Sequence, residues 1–241
     1  MRVLMDTGEI FTYRLNIEAV MKKKIVVGIS GASGSIYAVR LLELLRQTAE
    51  VHLIISRAAA TVLALETEYR IEEISRLAYR IYDNEDFCAP VASGSFPVDA
   101  MVVIPCSIKT LSAIANCHCD TLISRAADVA LKEKRRLILS VRETPLHLGH
   151  LKLMLQAAES GALITPPVPQ FYTRPQSISD IVTQTACRIL DLLDIKSEFT
   201  VRWNGSCKTV NVQGLSVTDA HDTEVINNES DIAKSIAQGS L

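Results

Sequence analysis

Three turns in this sequence combine small or hydroxyl residues at points where a buried apolar run ends. Gly31-Ala32-Ser33-Gly34 follows the first run, Ser56 ends the second, and Pro105-Cys106-Ser107-Ile108-Lys109-Thr110 ends the third. Backbone N–H groups and hydroxyls at the start of a helix bind anions, because the helix dipole adds positive potential there. The repetition predicts a phosphate site with polar partners for a ribose or ribityl chain.

The first turn taken alone is weak evidence, because a glycine turn between a strand and a helix is often only structural. It lacks the G-x-G-x-x-G spacing of dinucleotide folds and the Gly-Lys-Ser/Thr of a P-loop. It also lacks the G-x-S-x-G of a hydrolase nucleophile turn. A mononucleotide lying across several strand ends fits the pattern better.

Cationic side chains form the second pattern. Arg125 and Lys132 are seven residues apart in a helical run and so share a face, although a solvated helix face is the ordinary explanation. Arg142-Glu143 leaves a buried strand, and Tyr172 and Arg188 add a phenol and a guanidinium. Because arginine is well suited to phosphate oxygens, this set predicts an anionic substrate.

A zinc site is the alternative for the segment Cys117-His118-Cys119 together with His147 and His150. Thiolate and imidazole suit zinc, but the C-x-C spacing is not that of the common zinc motifs. Buried or helix-end thiols explain these residues equally well. We therefore expect no metal.

Apolar runs alternate with helical patterns along the chain, which predicts a doubly wound parallel sheet in a three-layer α/β sandwich. In such sheets, ligands bind beyond the carboxyl ends of the strands. The predicted strands are 24–30, 51–56, 100–105, 137–142 and 162–165, and the predicted helices include 35–47, 57–66, 147–159 and 177–193.

Composition excludes several classes of protein. The formal charge is -2, with 25 basic and 27 acidic residues spread along the chain, so a nucleic-acid or anionic-membrane partner is not expected. No apolar run approaches the ~18 residues of a membrane span. Six cysteines without a secretory leader fit reduced thiols and a cytoplasmic location.

The sequence divides into three parts. Residues 1–21 read as an appendage that we expect to be poorly ordered, and residues 22–195 as the α/β domain. Residues 196–241 read as an extension that docks near Trp203 and is weakly ordered beyond it, because its apolar density falls and Ser, Thr, Asn and Asp dominate.

From about Lys24 to Trp203 the chain resembles the UbiX family of flavin prenyltransferases, whose fold is a flavodoxin-like, Rossmann-like domain of the type found in flavin-containing cysteine decarboxylases. The resemblance depends on a set of specific motifs. They are Gly31-Ala32-Ser33-Gly34, Pro105-Cys106-Ser107 with Lys109-Thr110-Leu111, Arg125 to Lys132, Arg142-Glu143-Thr144-Pro145, and Phe171-Tyr172 followed by Pro175-Gln176-Ser177.

The resemblance implies that reduced FMN is alkylated by dimethylallyl phosphate to give prenylated FMN, the cofactor of UbiD-type decarboxylases in ubiquinone synthesis or aromatic acid decarboxylation. It implies a homododecamer with the flavin at a subunit interface. The implied FMN contacts are Gly31, Ala32, Ser33, Ser56, Ser107, Ile108, Lys109, Thr110 and Arg125, and the implied dimethylallyl phosphate contacts are Lys132, Arg142, Tyr172 and Arg188.

The chemistry agrees with these implied roles. Cleavage of an allylic C–O bond builds negative charge on the departing phosphate, which cations such as Lys132 and Arg142 stabilise. Ser33, Glu66 and Glu143 are the polar groups implied near the reacting flavin. A proton must move when the second bond to the flavin closes, and Glu143 with Ser33 is our candidate relay.

Three other functions remain open on the sequence alone. A flavin-dependent cysteine decarboxylase shares the fold. The phosphate-binding set discriminates between the two functions, and all four of its residues are present here. A direct decarboxylase of aromatic acids would need a better electron sink than flavin. A non-enzymatic flavin carrier would not need the cluster of cations.

Overall fold

The buried apolar runs form one parallel six-stranded sheet in a computed structural model that describes residues 22–205, 209–210 and 217–218. The strands are β1 (Lys23–Ile29), β2 (Ala49–Ile55), β3 (Arg80–Asp83), β4 (Ala100–Cys106), β5 (Arg136–Val141) and β6 (Leu163–Ile164). Their order across the sheet is β3-β2-β1-β4-β5-β6. The chain order reverses between β1 and β4, and this is where open α/β sheets bind ligands.

Helices cover both faces of the sheet, which confirms the predicted doubly wound, three-layer architecture. They are α1 (Ser35–Leu45), α2 (Arg57–Glu66), α3 (Ile71–Ser75), α4 (Ile108–Ala115), α5 (Leu122–Lys132), α6 (Leu148–Glu159) and α7 (Ile178–Leu192). Alternate side chains of each strand point to opposite faces. Ile25 and Val27 accordingly belong to different core clusters from Val26, the first with α1, α2, α3 and α7, the second with α4, α5 and α6.

Hydroxyl side chains start most of the helices that follow the strands. Ser56 accepts a hydrogen bond from the N–H of Ala59, and Ser107 accepts one from Thr110. Thr121 and Ser177 cap α5 and α7 in the same way. Each cap satisfies a backbone donor that the helix itself leaves unpaired, which stabilises the helix start by about 1 kcal/mol.

The five predicted strands are confirmed, with ends shifted by one or two residues. The edge strand β3 was not predicted, and neither was the short helix α3. Three of the four β3 residues are exposed, because β3 has a neighbour on one side only and lies at the margin of both cores. Its sequence Arg80-Ile81-Tyr82-Asp83 therefore lacks the continuous apolar run that marks the central strands.

The segment after α7 packs back onto the domain. Gln184 donates from Nε2 to the carbonyl of Phe199 (2.8 Å), and its Oε1 accepts from the N–H of Val201 (3.1 Å). The guanidinium of Arg40 lies 5.3 Å from the centre of the Phe199 ring. These contacts join residues 199–201 to the domain, and the compact unit includes residues up to Val201. The boundary at residue 195 and docking near Trp203 stay predictions.

A second unit begins at Arg202, and its described part includes a two-stranded antiparallel ribbon, β7 (Thr209–Val210) with β8 (Val217–Thr218). The expectations for residues 1–21 and for most of 204–241 lie outside the described residues. Within the described part, no helix has the length and apolar character needed to cross a membrane. Five of the six cysteines are described, and all five are free thiols.

Candidate functional site

The crevice between β1 and β4 is held by one buried serine. Ser30, immediately after β1, is 1% exposed. Its hydroxyl donates to the carbonyl of Pro105 (2.9 Å) and accepts from the N–H of Ser107 (2.8 Å). Ser30 thus ties the end of β1 to the start of α4 and sets the spacing of the two turns predicted to bind phosphate.

A cavity of about 600 Å³ opens at these carboxyl ends, within the size range of small-ligand sites. Five of the predicted flavin contacts line it: Gly31, Ser56, Ser107, Lys109 and Thr110. Turns that are up to 79 residues apart in the chain therefore meet at one place because their strands are parallel neighbours.

Two glycines allow the first turn to fit there. A Cβ at Gly31 would lie 2.4 Å from the Cβ of Ala58, so only glycine lets this turn pack against the start of α2. Gly34 has a φ of 101°, a left-handed conformation that side chains disfavour.

Ser33 and Glu66 form a hydrogen-bonded group beside the first turn. The Glu66 carboxylate accepts from the N–H of Gly34 (2.8 Å) and of Ser35 (3.3 Å), and from the Ser33 hydroxyl. Desolvation by burial would raise the pKa of Glu66, but these hydrogen bonds and the positive charge of Arg142 outweigh it and lower the pKa. Glu66 is therefore ionised at neutral pH.

This arrangement changes the interpretation of the glycine turn. The N–H groups of Gly34 and Ser35 open α1, where an external anion was expected, and they already hold the carboxylate of Glu66. The starts of α2 and α4, capped by Ser56 and Ser107, face the cavity, and so does the start of α5 at Thr121.

Arg142 and Glu143 follow β5 at the same edge of the sheet. The Arg142 N–H donates to the carbonyl of Cys106 (3.0 Å), and its side chain acts on Glu66 electrostatically. Glu143 accepts from the N–H of its neighbour Thr144 (2.9 Å). The observed partner of Ser33 is Glu66, so the relay between Ser33 and Glu143 stays a prediction.

Tyr172 lies in a short 3-10 turn, Phe171–Thr173, after β6. Its hydroxyl donates to Oε1 of Gln170 (2.9 Å), and about half of the residue is exposed. In a single chain, the polar groups that follow β5 and β6 at the carboxyl ends of the strands are thus exposed to solvent.

Arg125 is used inside the domain. Its guanidinium donates to Asp128 (2.8 Å) and to the carbonyl of Ala92 (3.1 Å), which ties α5 to the loop between β3 and β4. An FMN contact by Arg125 stays a prediction.

Lys132 and Arg188 lie away from the other predicted residues. Lys132 is the last residue of α5 and lies just before β5, at the amino-terminal ends of the strands. Its ammonium group pairs with Glu133. Arg188 is exposed near the end of α7, whose following carbonyl at Leu193 accepts from Lys23 at the start of β1. Within one chain, neither side chain joins the cavity at the carboxyl ends.

Other residues of the site were not predicted. The cavity is also lined by Arg57, Thr61, Asn84, Glu85, Asp120 and Thr121. Arg57 and Thr61 follow Ser56 on the first turns of α2, so their position could have been inferred from the helix period. Asn84 and Glu85 follow the unpredicted strand β3, so no local pattern pointed to them.

A larger cleft of about 870 Å³ lies at the opposite, amino edge of the sheet. Its arginines are engaged within the chain: Arg135 donates to the carbonyls of Gly94 and Phe96, and Arg136 pairs with Asp194. Among the described residues, no three His, Cys, Asp or Glu side chains are grouped to hold a metal ion. The zinc alternative therefore receives no support from the described part of the chain.

Fold and cavity together define a doubly wound α/β protein whose candidate ligand site lies at the β1–β4 reversal. The Flavoprotein family model matches residues 16–190. The flavin prenyltransferase UbiX of Salmonella typhimurium is 54% identical over 188 residues, which covers 76% of this chain and all of the relative.

Solved structures agree with this result. AnUbiX, in complex with FMN and dimethylallyl pyrophosphate, is 46% identical with a TM-score of 0.76 and covers 77% of this chain and 99% of that one. A dodecameric FMN-dependent UbiX-like decarboxylase from Escherichia coli O157:H7 is 42% identical with a TM-score of 0.74 and covers 76% of this chain and all of that one. The chain belongs to the UbiX family of flavin prenyltransferases.

The cysteine decarboxylase alternative is supported only at the level of fold. An FMN-dependent cysteine decarboxylase from thioviridamide biosynthesis shares 15% identity, with a TM-score of 0.51. Likeness at that level carries no argument about substrate.

Proposed function

We propose that this protein transfers the dimethylallyl group of dimethylallyl phosphate to reduced FMN and releases prenylated FMN. The observation that carries the proposal is 54% identity over the complete length of a flavin prenyltransferase. The site agrees with that chemistry, because a cavity of about 600 Å³ has two capped helix starts, and the turn that begins at Gly31 in its wall carries Ser33, the partner of Glu66. The positive charge of Arg142 also acts on Glu66.

The residues present fit FMN. Ser56 and Ser107 carry hydroxyls at the starts of α2 and α4, and Arg57 and Lys109 add positive charge on the same first turns. Helix starts with nearby cations suit a phosphate group. When bound, the reduced flavin supplies the electron pair that captures the allyl fragment.

The chain's own cations act on the leaving group. As the allylic C–O bond breaks, negative charge builds on the phosphate, and Arg142 and Tyr172 are the proposed donors to its oxygens at the carboxyl edge of the sheet. No metal is required for this step, since the guanidinium already provides a fixed positive charge.

Ser33 and Glu66 are the proposed route for the proton. An ionised Glu66 that accepts from the Ser33 hydroxyl can take a proton through it, while Glu143 is the second carboxylate at the same edge. A carboxylate whose pKa is lowered stays charged across the neutral range, so it is ready as an acceptor.

Lys132 and Arg188 support an assembly. Both were assigned to the dimethylallyl phosphate site, yet in a single chain they lie away from the carboxyl edge. For Lys132 and Arg188 to contact dimethylallyl phosphate, their side chains have to enter the site of a neighbouring copy. We therefore propose that the enzyme works as a homo-oligomer, as its dodecameric relative does.

An apolar stripe on α6 supports the same proposal. Leu148, Leu151 and Leu155 are 66%, 49% and 59% exposed and lie on one face of the helix. Exposed apolar patches of this kind mark association surfaces. A second copy is the proposed occupant, since a 42% identical relative forms a dodecamer.

The direct test mixes the purified protein anaerobically with reduced FMN and dimethylallyl phosphate and looks by mass spectrometry for a flavin heavier by one prenyl unit. Arg142→Ala should lose most of the adduct. Arg46→Ala removes the same charge from an exposed position at the end of α1 and should behave as the parent. Bound FMN that stays unmodified with both the monophosphate and the diphosphate donor would overturn the proposal.

The proposal includes delivery of prenylated FMN to a UbiD-type decarboxylase, which acts in ubiquinone synthesis or in aromatic acid decarboxylation. The chemistry requires a consumer of prenylated FMN, because the flavin leaves as product. A coupled assay with such a decarboxylase, supplied with this enzyme or with FMN alone, tests the transfer.

A further inference from the structure

Asn84 is a buried polar residue in the wall of the cavity, and it has no assigned role in the proposed flavin reaction. It follows β3 directly and is 7% exposed. It lines the same cavity as Ser56, Ser107 and Thr110. A side chain more than nine-tenths buried in a ligand cavity calls for a partner for each polar atom.

The acceptor atoms of Asn84 are engaged. Its backbone carbonyl accepts from the N–H of Leu122 (2.7 Å), and its side-chain Oδ1 accepts from the N–H of Ile123 (3.2 Å). Because only the oxygen of the amide can accept, these contacts fix the orientation of the side chain. The amide nitrogen Nδ2 is then the free end, and it has no hydrogen-bond partner among the residues that the structure describes.

The start of α5 is therefore not itself an anion site. Asn84 takes the N–H groups of Leu122 and Ile123, and the Thr121 hydroxyl takes that of Ser124 (3.3 Å). With the first three N–H groups of the helix satisfied inside the protein, the donor left for a ligand on this wall is Nδ2 of Asn84.

The charges around the cavity indicate what that donor meets. Arg57 and Lys109 stand on the first turns of α2 and α4, whereas the carboxylates of Glu85 and Asp120 line the cavity next to Asn84 and the start of α5. A phosphate dianion is favoured beside the cations and disfavoured beside the acids. An uncharged oxygen carries no such penalty.

We infer that Asn84 is a flavin-binding residue, whose Nδ2 donates a hydrogen bond to an uncharged oxygen of the flavin, a ring carbonyl or a ribityl hydroxyl. The inference rests on the proposed function, because it takes FMN to be the occupant of the cavity. It adds a second task to Asn84, which also holds the start of α5.

Asn84→Asp separates the two tasks. The aspartate keeps the oxygen that accepts from Ile123, and its negative charge suits a helix start but lies beside the carboxylates of Glu85 and Asp120. The melting temperature of the flavin-free variant is therefore measured first, to show that the protein is folded. The variant has no N–H to donate. Loss of a hydrogen bond from a buried site should weaken flavin binding by about tenfold or more.

The measurement is the Kd for FMN and for riboflavin from quenching of flavin fluorescence, with no prenyl donor present. Both Kd values should rise in Asn84→Asp, and riboflavin is decisive because it has no phosphate for the new charge to repel. Asn116→Asp makes the same change at an exposed position after α4 and should leave both values unchanged.

Each other outcome is informative. Parent-like binding of both ligands by Asn84→Asp overturns the inference and leaves Asn84 as a structural residue. Weaker binding of FMN alone also overturns it, since the partner or the repulsion would then be the phosphate. If the parent protein binds neither flavin, the proposed function itself fails, which these measurements distinguish from failure at Asn84.

Discussion

Glu66 shows what a single residue decides in this site. It ends α2, and its carboxylate occupies the start of α1 through the N–H groups of Gly34 and Ser35. A carboxylate so held contributes to the stability of the helix through the dipole, and it also holds the Ser33 hydroxyl. The same residue thus has a structural and a chemical consequence.

Glu66→Gln should slow formation of the prenylated flavin by about a hundredfold to ten-thousandfold, the usual range for loss of a general base. The glutamine still accepts from the backbone but no longer takes a proton. Rates should be followed by single turnover at saturating FMN. Glu72→Gln, at an exposed position on α3, is the matched control. A parent-like rate in Glu66→Gln would remove Glu66 from the proton route.

The pH dependence follows from the same contacts. The pKa of Glu66 lies below its ordinary value of 4.5, so the residue stays ionised from neutral pH down to below that value. Between pH 5.5 and 8, the single-turnover rate should show no titration of this carboxylate. An inflection in that range that disappears in Glu66→Gln would contradict the assignment.

Between elements, the junction of β1 with β4 depends on Ser30. Ser30→Ala removes a donor to Pro105 and leaves the N–H of Ser107 without its acceptor. An unsatisfied buried donor costs about 1–3 kcal/mol, so the free energy of unfolding should fall by that amount in urea titrations. Ser160→Ala, at the exposed end of α6, should change it by less than ~0.5 kcal/mol.

His52 on β2 is expected to make the stability of the domain depend on pH. The ring is 2% exposed, and hydrogen bonds join it to the Tyr82 hydroxyl (2.8 Å) and to Glu50 (3.0 Å). Desolvation by burial lowers the pKa of His52 below 6.5, and the nearby charges of Lys24 and Arg80 act in the same direction, against the raising effect of Glu50.

The sign of the effect follows from proton linkage. Just below pH 6.5 the unfolded chain binds a proton at His52 more readily than the folded chain does, so lowering the pH stabilises the unfolded state relative to the folded state. The melting temperature should therefore fall as pH drops from 7.5 to 5.5. His52→Phe should flatten this dependence, whereas His118→Asn, at an exposed position, should retain it. An unchanged slope in His52→Phe would exclude this residue as the source.

At the scale of the whole molecule, the question is what covers α6. Leu151→Glu places a charge in the middle of the exposed stripe and should shift the protein to smaller species in analytical ultracentrifugation. Burial of a leucine side chain is worth about 1.5–3 kcal/mol, and an unpaired charge in its place costs more. Tyr79→Glu, which is 71% exposed beside β3, is the control for a charge at another apolar surface position. If Leu151→Glu leaves the size of the assembly unchanged, the exposed face of α6 is not the surface that contacts a second copy.

The sequence by itself determined the parallel α/β sheet and five of its six strands, because continuous apolar, β-branched runs are typical of buried parallel strands. It also identified the turns at Gly31, Ser56 and Ser107, since hydroxyl caps and glycines are local signals. The flavin prenyltransferase family was identified from the same motifs. These features depend on neighbours in the chain, which the sequence displays directly.

Only the tertiary structure decided the rest. The short strand β3 owes its pairing to β2, and through β3 the chain brings Asn84 to the cavity. The contact of Glu66 with the start of α1 joins residues 32 positions apart, and the separation of Lys132 from the carboxyl edge follows from the direction of α5. Contacts of this kind depend on how elements pack, and no local pattern records them.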